Sequence, residues 1–210
     1  MEIEKKIKIY GESFVKLSCR SPKDVTVNCD KLKELYKSEI EKIKVPTDND
    51  KGKKNDEIWC LIFEACILYQ SHIRALKVNS SREALEMLLK SQRIKQDLEI
   101  CLEKNEPTMD VIIREWVEIP ISMEFRGFCF NKKLTGVSQY FDMLFFKDLN
   151  ENSNKIKLKI QSFYEEISNK IQFENFIIDF GISTNGKIFI IELNPWNTNT
   201  GFWIGFVFLD

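Results

Sequence analysis

The chain has 210 residues, of which 43% are hydrophobic and 30% charged, so it carries enough apolar side chains to build a real core in one domain of one or two lobes. Its net charge of −1, from 31 basic against 32 acidic residues, excludes the basic excess of a general nucleic-acid binder. No apolar run approaches the roughly 20 residues of a membrane span. The first residues, Met1 to Lys6, carry no signal-peptide pattern. A cytoplasmic protein is expected, with no membrane contact and no direct nucleic-acid partner. The six cysteines (19, 29, 60, 66, 101 and 129) form no Cys-x-x-Cys pair and read as free thiols. His72 is the sole histidine, and its sequence neighbours offer it no partner.

In chain order, residues 7–18 read as two short strands broken at Gly11. Ser21-Pro22-Lys23-Asp24 follows as a loop. Leu32, Leu35, Tyr36, Ile40 and Ile43 recur at helical spacing, which predicts a helix over 31–44. The lysine-rich stretch from Pro46 to Asn55 reads as a loop. Residues 57–69 are apolar enough for a buried helix or strand, and 75–78 for a short strand. Ser80 with Glu83 three residues later forms a capping-box pattern, ahead of a helix carrying Ala84, Leu85, Leu88 and Leu89. Leu98, Ile100 and Leu102 extend the apolar pattern to Pro107.

The character then changes. Residues 111–117 read as a strand, and 123–130 pairs with 133–138 as a hairpin across Asn131-Lys132. Ile156, Ile160, Phe163 and Ile167 predict a helix over 155–170. Two strong strands, 176–180 and 187–193, flank Ser183-Thr184-Asn185-Gly186, and Asn-Gly is the strongest short hairpin signal. Helices and strands alternate without a regular βαβ period, which indicates an α+β fold.

The chemistry lies in that last hairpin. Asp179 is the only charge in its strand, and Glu192 directly follows Phe189-Ile190-Ile191. Burying an unpaired carboxylate is costly, so two of them require a shared cation or basic partners. Glu192 and Asn194 are two apart and share a strand face. A four-residue turn at 183–186 would place Asp179 opposite Ile190, with Glu192 as its diagonal neighbour roughly 7–8 Å away. Two carboxylates and an amide oxygen suit magnesium. The hairpin alone also permits the plainer reading, a pair of acids bonded to lysines at a strand edge.

Three motifs in order narrow the choice. They are Phe14-Val15-Lys16-Leu17 with Ser21-Pro22-Lys23-Asp24, Glu124-Phe125-Arg126-Gly127 with Leu134-Thr135-Gly136-Val137-Ser138-Gln139, and Glu192-Leu193-Asn194-Pro195-Trp196 with Thr200. Together they resemble the eukaryotic cell division cycle protein 123 family, from about residue 13 onward. The resemblance implies an ATP-grasp-like α+β fold, two lobes with antiparallel sheets and flanking helices. The lobes would be a phosphate-loop lobe over about 1–110 and a hinge and metal-binding lobe over about 111–210.

By the same resemblance, ATP and magnesium are the cofactors, and Asp179, Glu192 and Asn194 hold the metal. Lys16, Ser21, Lys23 and Asp24 belong to the phosphate side. The backbone of Glu115, Trp116 and Val117 reads adenine, and Arg126 offers its fork to phosphates. The alternatives are a solvated turn residue for Lys23 and a structural ion pair with Glu124 or a neighbour for Arg126. The implied partner is the gamma subunit of eukaryotic translation initiation factor 2, which a monomeric assembly chaperone would bind; the alternative is an ATP-grasp ligase or kinase, and a third reading is a shortened paralogue without either role. The sequence departs from the family pattern at Tyr140, where an arginine is usual, at Glu192, where aspartate is commoner, and in its apolar ending, Gly201 to Asp210. It also begins almost at the lysine strand, so an N-terminally shortened lobe is expected.

Overall fold

The computed structural model describes residues 2–27, 29–42, 55–104, 109–142, 144, 146–196 and 207–208. The expected loop at 46–54, Pro107, Thr200 and the apolar ending apart from Val207–Phe208 lie outside them. The chain divides into two compact units, Met1–Val117 and Glu118–Asp210. None of the described helices is long and apolar enough to cross a membrane.

The first unit opens with helix α1 (Glu2–Tyr10), which replaces the first of the two strands expected over 7–18; the second is present after Gly11. Ile-Lys-Ile-Tyr alternates like a strand, but Ile3 and Ile7 are also one helical turn apart and pack into the core, and Lys8 pairs with Glu4 at 2.9 Å. Gly11 ends the helix in the left-handed region (φ 72), its amide donating to Ile7 O. Strand β1 (Ser13–Leu17) then lies between β2 (Lys77–Val78) and β3 (Val111–Glu115), antiparallel to both. Strand β3 therefore belongs to the first unit, and the boundary falls after Val117, not near residue 110.

Helices α2 (Asp30–Lys42), α3 (Asn55–Arg74), α4 (Ser81–Lys90) and α5 (Gln92–Glu103) complete the unit. The core gathers Ile7, Val15, Leu17, Val78, Ala84, Leu88 and Ile94. Helix α3 is only partly the buried element that its apolar sequence suggested: Leu61, Phe63, Leu68 and Tyr69 are exposed. The cap of α4 is the expected one, with Ser80 Oγ accepting from the Glu83 amide at 3.2 Å and Glu83 Oε2 accepting from Asn79 N at 2.7 Å. Ser80→Ala should lower stability by about 1 kcal/mol, seen as a melting point about 2–4 °C lower.

The second unit is a five-stranded antiparallel sheet with one long helix against it. Strands β4 (Glu124–Phe130), β5 (Lys133–Gln139), β6 (Phe176–Ile182), β7 (Ile188–Pro195) and β8 (Val207–Phe208) lie in the order β7-β6-β4-β5-β8. Helix α6 (Lys147–Ser168) starts about two turns before the predicted segment. Asn131 and Lys132 both take positive φ (50° and 60°) in the β4–β5 turn, as a two-residue hairpin loop requires.

Alternation along the strands sends Phe125, Cys129, Phe176, Ile178, Phe180 and Ile182 into the core with Ile160 and Tyr164 of α6. Burial pushes the Cys129 thiol up to about 12, so it stays protonated. The opposite face of the same strands carries Glu124, Arg126, Ser138 and Asp179, all buried.

Candidate functional site

The hairpin pairs differently from the sequence expectation, for two reasons. Ile182 pairs with Ile188, so the turn is one residue longer than a four-residue loop; Ser183 closes it by donating its hydroxyl and amide to Lys187 O. Then Phe180 pairs with Ile190 but Asp179 with Glu192, leaving Ile191 as a bulge. The bulge shifts the phase of β7. Ile190 stays with the helix-side core, while Glu192 and Asn194 emerge on the face of Asp179. Asp179 and Glu192 are therefore directly opposed and not diagonal, and such pairs have Cβ atoms about 4.5–5.5 Å apart.

Across the β4–β6 pair, Arg126 lies opposite Asp179. Its guanidinium grips the carboxylate with two bonds, Nε to Oδ1 at 2.8 Å and Nη2 to Oδ2 at 2.9 Å. The pair is sealed: Arg126 is 7% exposed and Asp179 is 2%. Asn194 Nδ2 adds a bond to Asp179 Oδ2 at 3.2 Å. The guanidinium lies 4.9 Å from the ring centre of Tyr140, whose amide donates to Glu124 O. Burial works against the charge of Arg126, but Asp179, with Tyr140 and Glu124 behind it, outweighs that and holds its pKa above the ordinary value.

One register line thus crosses four strands. Ser138 on β5 pairs with Arg126 on β4, Arg126 with Asp179 on β6, and Asp179 with Glu192 on β7. Asn194 lies two residues beyond Glu192 on the same face. The carboxylate oxygens of Asp179 and Glu192 and the amide oxygen of Asn194 are hard donors, a set that fits magnesium. Among the described residues no three acidic, histidine or cysteine side chains form a self-sufficient metal cage. Magnesium does not require one when phosphates and water complete its shell. In this structure Asp179 meets a guanidinium, so the ion-pair alternative for Arg126 is the observed one, with Asp179 as its partner.

The residues expected around the phosphates and adenine lie in the first unit. Lys16 is buried on β1, paired in register with Ile112. Lys23 and Asp24 begin a single turn of tighter helix, Lys23–Thr26, just after Ser21 and Pro22. The side chain of Asp24 has a role that the sequence did not reveal. Oδ1 accepts from Ser91 Oγ at 2.6 Å, and Oδ2 from the amides of Gln92 at 2.9 Å and Arg93 at 3.3 Å. It caps α5 together with Ser91.

Burial alone would raise the Asp24 pKa, but the Ser91 and backbone bonds prevail and hold it below the usual carboxylate value. A depressed carboxylate pKa stabilises the fold above the unfolded value of about 4. That contribution is lost as pH falls through the lower folded value. Asp24→Asn keeps an acceptor but removes its charge, and should cost about 1 kcal/mol near pH 7, the difference between charged and neutral hydrogen bonds, with the gap to wild type closing below pH 4, as measured by urea unfolding at several pH values.

His72 also has a partner 46 residues away, Thr26, whose Oγ1 is 2.9 Å from Nδ1 and itself donates to Lys23 O. Burial, then the charge of Lys23, lower the His72 pKa. At the expected hinge, the Trp116 amide donates to Glu12 O at 2.8 Å, so this N–H is already used within the sheet. The Trp116 ring lies 5.8 Å from Lys77 Nζ. Glu115 pairs with Ser13 at the end of β3, and Val117 closes the unit.

The D123 family matches residues 67–204, well over half of the chain. The chain belongs to the D123 family. The matched range takes in β4 to β7 and the whole polar row, with Asp179, Glu192 and Asn194. The chain is 30% identical over 92 residues to the translation initiation factor eIF2 assembly protein of Xenopus laevis, covering 43% of this chain and 27% of that protein. The protein of the same name from Dictyostelium discoideum is 32% identical over 91 residues, 43% of this chain and 24% of its own length. Cell division cycle protein 123 of Candida glabrata is 28% identical over 134 residues, covering 59% and 38%.

The chain therefore spans well under half the length of these D123 relatives. Among solved structures, Cdc123 from Schizosaccharomyces pombe superposes with a TM-score of 0.65 at 20% identity, over 95% of this chain and 66% of that one. The two share a fold of mixed helices and antiparallel sheets.

Proposed function

We propose that this chain binds ATP with magnesium and serves, as a monomer in the cytoplasm, in assembling eukaryotic translation initiation factor 2 through its gamma subunit. The process comes from family membership and from relatives named eIF2 assembly proteins. The ligand reading is carried by one observation, the row of buried Arg126 and Asp179 and half-buried Glu192, flanked by Asn194, on the sheet face turned away from the α6 core. In this reading Asp179, Glu192 and Asn194 would hold magnesium, which would draw together and neutralise phosphate oxygens. Arg126 fixes the Asp179 carboxylate in one orientation. Lys16, Ser21 and Lys23 serve the phosphates; the backbone of Glu115 and Val117 serves adenine; Asp24 positions the Lys23 turn on α5.

The test is a pull-down from cytosolic extract with the tagged chain, with and without ATP and magnesium. Enrichment of the initiation-factor gamma subunit that increases with both is the expected result. Its absence, in a preparation shown by calorimetry to bind ATP, would overturn the assembly role and leave the nucleotide site standing.

A further inference from the structure

Ser138 is 3% exposed, and its hydroxyl has no hydrogen-bond partner among the described residues. Buried hydroxyls are rarely left in that state. Other hydroxyls of the same unit bond to carbonyls: Thr135 donates to Phe128 O at 3.0 Å, Ser168 to Glu165 O at 3.2 Å and Ser183 to Lys187 O at 3.0 Å. Two further buried polar atoms are unpartnered, Ser71 Oγ in the first unit and Gln139 Nε2, whose side chain alternates to the other face of β5. Only Ser138 stands in register with the charged row, directly opposite Arg126.

The chemistry of its neighbour defines what is missing. Arginine is a donor without acceptor capacity, so it cannot take the serine proton. The hydroxyl needs an acceptor, and an acceptor entering beside a guanidinium is most favourable as an anionic oxygen. The row is also polarised along its length. Glu192 and Asp179, the oxygen ligands for a cation, occupy β7 and β6, while Arg126 and Ser138, the hydrogen-bond donors, occupy β4 and β5. Three strand spacings separate the two ends, roughly 14 Å. A magnesium-bound polyphosphate presents a cation and anionic oxygens side by side, which is the order of charge along this row.

We propose that Ser138 is a ligand-binding residue whose hydroxyl donates to a phosphate oxygen of the bound nucleotide, at the β5 end of the row. This rests on the nucleotide reading above. The experiment is calorimetric titration of the full chain with ATP and magnesium, and separately with AMP, for wild type, Ser138→Ala and Ser138→Thr, alongside nucleotide-free melting curves. Ser138→Ala should weaken ATP binding about tenfold or more, the loss of one hydrogen bond to a charged group. AMP affinity should not change, and Ser138→Thr should restore most of the ATP affinity. The nucleotide-free melting point of Ser138→Ala should stay the same or rise, because the variant removes an unsatisfied buried group.

Unchanged ATP affinity in Ser138→Ala would overturn the proposal and point to an ordered water as the partner. An equal loss for AMP would overturn the polyphosphate assignment, and a fall in the nucleotide-free melting point would show a structural hydroxyl. Wild type that fails to bind ATP at all would instead sink the nucleotide reading itself.

Discussion

Replacing Arg126 by alanine should cost about 3–5 kcal/mol of folding stability. The reason is what stays behind. Asp179 is 2% exposed, and without the guanidinium it keeps only the Asn194 amide among the side-chain bonds described for it. A buried carboxylate stripped of its countercharge must remain ionised at great cost or take up a proton. Arg126→Lys should fall between wild type and alanine, because an ammonium cannot reproduce the two parallel bonds of the fork. Removing both charges tests the account: Arg126→Met with Asp179→Asn should be far less damaging than Arg126→Ala alone. Urea unfolding gives these values directly. A loss under about 1 kcal/mol for Arg126→Ala would mean that the pair is solvated and contributes as little as a surface salt bridge.

This ion pair also shows where the sequence stops being informative. Period-2 alternation is a local property, so the shared face of Glu192 and Asn194 could be read directly. Register is not local. The turn is one residue longer than the spacing predicts, and Ile191 bulges because Ile190 stays in the core while Glu192 is carried to the opposite face. No spacing rule announces such a bulge. The partner of Asp179 is 53 residues away on β4, and Asp24 caps a helix whose first amide is 68 residues away.

Helix α1 departs from the sequence pattern for a different reason. Residues Ile7 to Tyr10 alternate like a strand, and the helix is decided by Ile3 and Ile7 meeting the first unit's core. The residue types of the candidate site were legible; the partners that hold them were not. Ser138 was visible inside a motif, but its missing hydrogen bond exists only once β5 is laid beside β4.

Glu192→Gln should remove the magnesium-dependent part of ATP binding while leaving the fold intact. Glu192 suits this test better than Asp179, because it is half-buried at the end of the row, whereas Asp179 is sealed and accepts both bonds of the Arg126 fork. Glutamine keeps the length and the polar character of the side chain but loses the charge that makes a carboxylate oxygen a strong ligand for a hard cation. For wild type, ATP and magnesium at 100 times the dissociation constant should add about 2.7 kcal/mol. That corresponds to a melting shift of several degrees for a chain of this size. Glu192→Gln should melt at the wild-type temperature without ligand and show only the shift that ATP gives without magnesium. Asn194→Ala should lie between the two, since a neutral amide holds a cation less strongly and its loss also frees one bond to Asp179. If Glu192→Gln responds to magnesium as wild type does, the metal is not held at this end of the row. ADP release measured in the same samples separates the roles, because an assembly factor uses ATP as a structural ligand, whereas an ATP-grasp enzyme given its acceptor would turn over at about 1–1000 per second.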